Sequence, residues 1–431
     1  MRRFALTVIP AFLMLVVALV LTVFLINLRD QARLPAVTAA LAARVDSIAP
    51  RENLFFALLA FDVRDSRDIN ADGQRIYANY LSALQSQPSA PNTLAKDPEF
   101  SRLEFVGDRD LLCGQAMQQD DCLQRARSDS RTQALVNDNS QLLERYESLQ
   151  SYCQFDDVLR PSSRSPVITW FAFTQAKQLF LTSVALDCTH DRLDSCIARL
   201  QSDAALMRRA MAEPEILLLD KVILATGFRQ DLLLAAAMLR REPLNEAHYA
   251  ALRELAAPMT LPERSLVDAE RREFQAVATA LAPINSDKFQ MPRYFFAFNA
   301  TLNDMWRARQ INLRKSEASC HAADDPSPSP ISYLYNPIGK LLMHAGGSDT
   351  VLFHYVGMMC DLEAMQRIVA LQVAIHSHHL AVADVAAFIA HTGPELSDPY
   401  TGAPFHWDAA TNAVSFEVAA DRHKALVPWP L

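Results

Sequence analysis

The sequence predicts an all-α protein in which an N-terminal transmembrane helix precedes antiparallel helical hairpins and a small C-terminal β-hairpin. Three observations support this fold class. An uncharged apolar run opens the chain, only 10 glycines occur among 431 residues, and apolar residues recur at helical spacing between prolines. Tight turns favour glycine, and an all-β fold needs many of them. The low glycine count therefore disfavours an all-β fold.

The apolar run extends from Phe4 to Leu28, 25 positions without a charged side chain. A hydrocarbon core of about 30 Å needs about 20 helical residues, so this run is long enough to span a bilayer. A cleaved signal peptide has an apolar region of only about 7 to 15 residues. The sequence therefore predicts a cytoplasmic tip and an uncleaved anchor in residues 1–28, with residues 4–28 in contact with lipid.

Seven cysteines occur, and two pairs of them are close in sequence: Cys113 with Cys122 and Cys188 with Cys196. Residues eight or nine apart on one straight helix are separated by about 12 Å or more, whereas a disulfide needs a Cα separation of about 4.4 to 6.8 Å. Each pair must therefore close over a turn, and disulfides are predicted. Reduced thiols and a metal site are the alternatives, although the sequence has no Cys-x-x-Cys.

The remaining cysteines are Cys153, Cys320 and Cys360. We expect Cys320 and Cys360 to pair and Cys153 to be a buried free thiol, although spacing alone does not determine connectivity. Disulfides imply an oxidising compartment. The expected location is a bacterial inner membrane, with a single pass, a cytoplasmic N-terminus and the bulk of the chain in the periplasm. The charges that flank the apolar run only slightly favour a cytoplasmic N-terminus.

Helices are predicted from apolar periodicity and from the prolines that separate the periodic segments. In one of them, Ile197, Leu200, Ala204, Met207 and Met211 recur in steps of three and four residues, which is typical of one buried helix face. The predicted helices are Leu34–Ile48, Asn53–Phe61, Gln74–Leu84, Arg131–Leu149, Ile168–Leu186, Leu193–Met211, Glu215–Arg241, Asn245–Leu255, Glu263–Ala282, Tyr333–Met343, Thr350–His379 and Val382–His391.

Five units are expected along the chain, and the predicted hairpins within them could stack like a solenoid. No motif recurs at the fixed period of a tetratricopeptide repeat, so a solenoid is one possible arrangement and not a family assignment. After the anchor, the units are membrane-proximal helices in 29–90, a helical-hairpin domain in 91–319, a Pro/Ser linker in 320–332, and C-terminal helices with a β-hairpin tail in 333–431.

The tail has the alternating apolar pattern of a β-hairpin, with Phe405 and Trp407 before the turn and Val414, Phe416 and Val418 after it. Three short segments, DPYTGAPF (398–405), FNATLN (298–303) and NPIGK (336–340), resemble uncharacterised, single-pass, membrane-anchored envelope proteins of proteobacteria. The resemblance implies an anchored, exported protein. It assigns no catalytic residue.

Histidines are concentrated in the C-terminal part, where nine of the eleven lie at or beyond His321. His376 and His379 are three residues apart on one predicted helix, and His354 or His391 could supply a third metal ligand. The favoured interpretation is that they are solvated residues at a helix C-terminus, where the helix dipole favours histidine. No metal or other cofactor is predicted.

Two further polar groups are candidate sites. Asp68, Asn70, Asp72 and Gly73 match the opening of a calcium loop, but Asn79 occupies the position of its bidentate Glu, so a helix-capping turn before Gln74 is favoured. The pair Asp220 and Lys221 lies in an apolar helix, where a desolvated lysine could act as a base or nucleophile. An exposed polar stripe that includes Arg229, Gln230 and Asp231 is the favoured interpretation.

The formal net charge of −8 and the absence of a basic run disfavour a nucleic-acid partner. Phosphate-binding, nucleophile-elbow, dinucleotide-binding and zinc-protease motifs are also absent. The predicted function is a non-enzymatic periplasmic scaffold or adaptor that binds another envelope protein in grooves between helices. The alternative is an envelope enzyme or metal-binding protein that uses the C-terminal histidines.

Overall fold

A computed structural model describes residues 2–42, 49–86, 101–114, 122–159, 168–189, 192–285, 295–320, 333–345, 348–417 and 426–430. Helices dominate these residues, and a small antiparallel sheet lies near the C-terminus, as the sequence predicts. The predicted Pro/Ser linker beyond Cys320 lies outside the described residues. The division of the chain into five units stays a prediction.

The α-helices are α1 (Arg2–Ile26), α2 (Pro35–Ala40), α3 (Leu54–Leu59), α4 (Ile69–Ser86), α5 (Cys122–Ser128), α6 (Arg131–Asp138), α7 (Ser140–Ser148), α8 (Trp170–Thr189), α9 (Leu193–Ala212), α10 (Leu218–Arg241), α11 (Glu246–Leu255), α12 (Leu261–Arg264), α13 (Val267–Leu281), α14 (Phe298–Ser319), α15 (Pro337–Ala345), α16 (Ser348–Ser377) and α17 (Val382–Ala390).

The centre of the molecule is formed by α8, α9, α10 and α16. α10 packs against α8, α9 and α16, and its apolar residues are buried on most of its circumference. One continuous cluster of buried side chains extends from Leu54 in α3 to Phe416 in the sheet. A second, smaller cluster joins α2 to α13 and α14 through side chains such as Val37, Phe274 and Leu302.

Several helix boundaries differ from the prediction for identifiable reasons. The segment predicted as one helix from Arg131 is two, α6 and α7, which meet at the buried Asn139. The Asn139 side chain bonds the backbone of Val106 and the carbonyl of Leu135. α4 begins at Ile69, earlier than the predicted Gln74, because the Asp68 carboxylate accepts the N–H groups of Asn70 and Ala71. The sequence does not predict the 22-residue helix α14.

Gly73 is required where α3 and α4 meet. A Cβ atom at this position would lie 1.8 Å from the carbonyl oxygen of Phe56. Gly73, which matches the glycine of a calcium loop in sequence, therefore allows α3 and α4 to pack closely. The Asn70 side chain likewise points inward, where its amide donates to the carbonyl of Asn53 at 3.0 Å. These contacts agree with the interpretation of this segment as a helix-capping turn.

The sheet has three strands, β1 (His406–Asp408), β2 (Ala413–Glu417) and β3 (Leu426–Pro430), in the order β1-β2-β3. β1 and β2 form the predicted hairpin, with Trp407 opposite Val414. The third strand is not predicted by the sequence pattern. The preceding turn attaches this tail to α16, because the Tyr400 hydroxyl donates to Asp361 Oδ1 at 2.5 Å and the Tyr400 ring stacks on Phe416.

The three disulfides join the pairs expected from the sequence. Their Cα–Cα separations are 5.4 Å for Cys113–Cys122, 5.2 Å for Cys188–Cys196 and 5.8 Å for Cys320–Cys360. Cys153 is the free cysteine, as expected, but the prediction that it is buried is wrong. It lies two residues beyond the 3-10 turn (149–151) that ends α7, so its side chain is not on the buried face of that helix.

Among the described residues, α10 is the one helix that is long and apolar enough to cross a membrane, and 78% of its most apolar window is buried in the protein. Its packing makes it a core helix. The part of α1 whose side chains are described, Leu13–Ile26, is a shorter apolar helix. The assignment of α1 as a transmembrane helix therefore stays a prediction.

Candidate functional site

Several polar side chains lie in the interior of the helical domain. Lys177 of α8 is 1% exposed, and Asp203 of α9 and Asp231 of α10 are fully buried. The Lys177 ammonium group donates hydrogen bonds to both carboxylates, and the hydroxyl of the buried Tyr146 donates to Asp203 Oδ1 at 2.8 Å. We call these four residues the Lys177 network.

Burial and charge have opposing effects on the pKa values of this network. Burial raises the pKa of Asp231 well above its usual range, although Lys177 opposes the shift. Burial would lower the pKa of Lys177, but Asp203 and Asp231 outweigh it, so that the pKa is raised. Lys177 thus offsets part of the cost of burying the two neighbouring carboxyl groups. Because its members are at most 1% exposed, the network links helices and is not open to a substrate.

A second buried group joins α13 to the segment before α8. Arg272 donates to the backbone carbonyls of Asp157 and Leu159 at 2.8 and 2.7 Å, and its Nε lies 3.5 Å from Glu215. Burial raises the pKa of Asp157 to about 7, against the opposing effect of Arg272. Asp157 Oδ2 accepts no hydrogen bond within the described part of the chain, which is consistent with a protonated carboxyl.

Asp220 and Lys221 are buried, so their interpretation as part of an exposed stripe is wrong. Asp220 is 4% exposed and accepts the indole N–H of Trp170 at 2.8 Å. Lys221 is 2% exposed and donates to the carbonyls of Pro262 and Ser265 at 2.7 and 2.6 Å. Burial lowers the pKa of Lys221 to about 8. Because Pro262 lies within the four-residue helix α12 and Ser265 directly follows it, Lys221 satisfies carbonyl groups that this short helix leaves unpaired.

Gln230 and Asp231, also assigned to that stripe, are 5% and 0% exposed. A helical wheel of α10 could not reveal this burial. The partners of Asp231 and Asp220 come from α8 and α9, and the acceptors of Lys221 come from α12. The sequence identified these residues as unusual, but it did not show that complementary groups on other helices surround them.

His376 and His379 lie at the end of α16. The N–H of His379 donates to the carbonyl of His376, and the N–H of Leu380 donates to that of Ile375. His379 has a φ of 50°, so this end is a Schellman motif with histidine in the position that glycine usually occupies. Burial, together with Arg240, lowers the pKa of His376. No group of three metal-ligating side chains occurs in the described residues.

The end of α1 is attached to the domain by four polar side chains, Asn27, Asp30, Asn303 and Asn336, which we call the α1 collar. Asn27 is 4% exposed. Its amide donates to the carbonyl of Leu334 at 2.8 Å, and its Oδ1 accepts the N–H of Asn336 at 2.7 Å. Residues about 300 positions apart in the chain thus fix the point where α1 leaves the domain.

Asp30 and Asn303 fix the segment that follows α1. Asp30 accepts the N–H groups of Asn299 and Ala300 at 2.7 and 3.0 Å, so it supplies the N-cap that Ala297 cannot give to α14. Asn303 accepts the N–H of Leu34 at 3.0 Å and donates to the carbonyl of Ala32 at 2.9 Å. An extended backbone segment is therefore held along α14.

Asn336 joins the collar to α14 and α15. Its Oδ1 accepts the N–H of Ala297 at 2.9 Å and its amide donates to Thr301 Oγ1 at 2.8 Å, while its φ is 54°. Gly339 permits this approach, since a Cβ there would lie 2.1 Å from Thr301 Oγ1. Two of the segments that carry the sequence resemblance, 298–303 and 336–340, are thus the segments that hold α1.

A cleft of about 230 Å³ lies at the opposite end of α14, between α12, α14 and α16. Apolar side chains line it: Leu261, Leu266, Ala318, Val356 and Met359. Glu317 stands beside them, but its carboxylate already caps α13 by accepting the N–H of Leu266 and the hydroxyl of Ser265. At the rim, Arg264 pairs with Glu363 at 3.1 Å.

Of the charged side chains that line the cleft, Glu317, Arg264 and Glu363 are paired, while Arg314 stays exposed. The rest of the lining is largely apolar. Leu261 is 64% exposed at its edge. Such a cleft suits an apolar side chain of a partner better than a reaction that needs an unpaired acid or base. No protein-family model, curated protein or solved structure matches the chain.

Proposed function

We propose that this chain is a single-pass inner-membrane protein whose N-terminus is cytoplasmic and whose helical domain lies in the periplasm, where it acts as a scaffold for another envelope protein. The observation that carries the proposal is the α1 helix. Between Leu13 and Ile26, eleven large apolar side chains are exposed to solvent, from 38% for Phe24 to 70% for Met14, while the α1 collar fixes the end of the helix to the domain.

Exposing apolar side chains to water is unfavourable, with a free-energy cost of about 25 cal/mol per Å² of apolar area. A helix that is apolar on all sides needs either a protein core or lipid around it. The exposed side chains lie on consecutive residues from Leu13 to Val17 and so cover the whole circumference. A bilayer would cover such a helix completely, whereas a groove on a partner would cover one side.

The disulfides support the periplasmic location, since cystines persist in oxidising compartments. The apolar cleft near Leu261 supports a binding role. The alternative, an enzyme or metal protein that uses the C-terminal histidines, has less support: His376 and His379 form a helix end, and the described residues contain no metal-ligating group of three.

Topology is tested by fusing a periplasm-dependent phosphatase, and separately a cytoplasmic fluorescent reporter, after Leu431. The expected result is an active phosphatase and a dark fluorescent reporter. Carbonate-washed membranes should retain the full chain. An active cytoplasmic reporter, or release of the chain by carbonate, would contradict the proposal.

The scaffold role is tested by a photo-crosslinking residue placed at Leu261 in full-length protein in native membranes. The matched control is Val106, which is 62% exposed, compared with 64% for Leu261, and is held against Asn139 after α6. A discrete adduct at position 261 that is absent at 106 is expected. Equal labelling at both positions, or none, would contradict a partner in the cleft.

A further inference from the structure

One outer face of the molecule combines exposed apolar and cationic side chains beside the end of α1. On α14, Arg307, Ile311, Arg314 and Lys315 are exposed. Their steps of four, three and one residues put them within one arc of about 100° on the helix. Ile311 is 52% exposed. It lies among these charged residues on the outer side of α14, and the opposite side of the helix is buried.

Helix α15 continues this face. Lys340 pairs with Asp304 of α14 at 2.6 Å, and Asp304 lies seven residues before Ile311, hence on the same side of α14. The next two residues of α15, Leu341 and Leu342, are 61% and 37% exposed. The two helices, joined by the Lys340–Asp304 ion pair, therefore present three exposed apolar side chains and three exposed cations.

Among the described residues, the charges of the two arginines on this face are not offset by ion pairs with acidic side chains. Arg307 and Arg314 form no ion pair within the described part of the chain, although the whole protein has a formal charge of −8. A face that combines leucine and isoleucine with such arginines is typical of surfaces that lie in the interface of a bilayer with anionic headgroups.

The position of the face points to the same partner. Asn336, whose N–H donates to Asn27 in the α1 collar, comes five residues before Leu341. The attachment point of α1 is therefore about 8 Å from Leu341 along the axis of α15. We infer that the face formed by Ile311, Leu341 and Leu342 with Arg307, Arg314 and Lys315 rests on the surface of the membrane that holds α1. This inference depends on the proposed anchoring by α1.

Consequently, α14 lies close to the plane of the membrane, and the domain is held by two contacts, the spanning helix and this face. A single flexible tether would leave the domain free to rotate above the bilayer. The α1 collar and the face together restrict that rotation, so the domain presents a constant side to partners.

The test uses the full-length protein with Cys153→Ser, reconstituted into vesicles that contain anionic phospholipid. An environment-sensitive fluorophore is attached at Leu341→Cys or, as control, at Val106→Cys, which is equally exposed at 62%. Lipids with a nitroxide near the headgroup should quench the probe at 341 at least twofold more than the probe at 106. The Arg307→Gln/Arg314→Gln variant, or zwitterionic vesicles, should reduce this difference.

Vesicle flotation is measured on the same samples to separate the two proposals. Protein that floats but shows equal quenching at both positions would overturn the membrane-facing surface and leave the anchor intact. A probe at 341 that is shielded from both lipid nitroxide and aqueous iodide would indicate a protein partner on this face and would also overturn the inference. Protein that does not float would overturn both.

Discussion

The Lys177 network and the α1 collar both join distant parts of the chain through polar side chains, but they differ in charge and in partner. The network pairs charged side chains with one another inside the core, where its members are at most 1% exposed. The collar consists largely of amides that bond the backbone. Removing one charge from the interior leaves another unpaired, whereas removing one amide frees a few backbone groups.

The two regions should therefore respond to substitution in different ways. The network couples α8, α9 and α10, so its loss should lower the stability of the whole domain. The collar couples α1 to α14 and α15, so its loss should release a segment while the domain stays folded. Global unfolding and local opening can be measured separately, which makes the comparison testable.

The largest effect is expected for Lys177→Met. This variant leaves the carboxyl groups of Asp203 and Asp231 buried without a cation and should lower the free energy of unfolding by about 3–5 kcal/mol. Denaturant unfolding of the full-length protein in mild detergent measures it. The control is Lys177→Met/Asp203→Asn/Asp231→Asn, in which the buried charges are gone, and it should recover most of the loss. A single variant as stable as the wild type would contradict the role of the network.

The second prediction concerns pH. The pKa of Asp157 is about 7 when folded, compared with 3.8 for a free carboxyl. Between these values the unfolded chain is ionised while folded Asp157 keeps its proton, so unfolding releases a proton and stability falls as pH rises. At about 1.4 kcal/mol per pH unit, the loss from pH 4 to pH 7 is up to about 4 kcal/mol.

Asp157→Asn should remove this part of the pH dependence. The amide keeps an acceptor for the N–H of Leu159, which bonds Asp157 Oδ1 at 2.9 Å, but carries no charge. The variant should therefore match the wild type near pH 4 and exceed it in stability near pH 8. Melting curves at a series of pH values decide the matter, and parallel curves for the two proteins would refute the assignment.

The sequence predicted much of the fold because helices leave local patterns. Apolar steps of three and four residues located α9 within one residue at its C-terminal end, and the short spacing of Cys188 and Cys196 indicated a turn between them. α14 was missed because polar residues interrupt its apolar side: Asn303, Gln310 and Asn312 are buried in it. Asn303, for example, bonds the backbone of Ala32 and Leu34, about 270 residues away, and no local pattern displays such a contact.

The Lys177 network and the α1 collar were hidden from the sequence for a related reason. Lys177 and Asp231 are 54 residues apart, and Asn27 and Asn336 are 309 apart. A charged residue in an apolar helix indicates burial or exposure equally well until its partner is known. The partners of these residues are distant in sequence and meet only in the folded protein. The polar residues of α10 that were predicted to form an exposed stripe are therefore buried in the core.

A third prediction tests the collar at Asn336. Asn336→Ala removes two side-chain hydrogen bonds and places alanine at a φ of 54°, which should cost about 1–3 kcal/mol of local stability. Tryptic cleavage after Arg33 should become roughly tenfold faster, since 1.4 kcal/mol corresponds to a factor of ten. The melting transition of the core should change less than in Lys177→Met.

Asn336→Gly separates the two causes. It loses the same hydrogen bonds, but glycine adopts a positive φ without the steric cost of about 1 kcal/mol that alanine incurs. Cleavage after Arg33 should be slower than in Asn336→Ala and faster than in the wild type. If alanine and glycine gave the same rate, backbone strain at this position would have no part in holding the collar.

The smallest effect is expected at Asp30, which is exposed and caps α14 from a distance of 269 residues in the chain. Asp30→Ala removes the cap and should cost about 1 kcal/mol, so cleavage after Arg33 should accelerate about fivefold. Asp30→Asn keeps an acceptor oxygen but loses the favourable interaction of its charge with the helix dipole, about 0.3–1 kcal/mol.

The rate for Asp30→Asn should therefore lie between those of the wild type and Asp30→Ala. The difference in cleavage rate between the wild type and Asp30→Asn should become smaller in high salt, because salt screens exposed charges. Cleavage of each denatured variant corrects for any change in intrinsic susceptibility to trypsin. A rate for Asp30→Ala equal to that of the wild type would mean that the amides of Asn27, Asn303 and Asn336 hold the collar without the cap, and that charge has no part in fixing α1 to the domain.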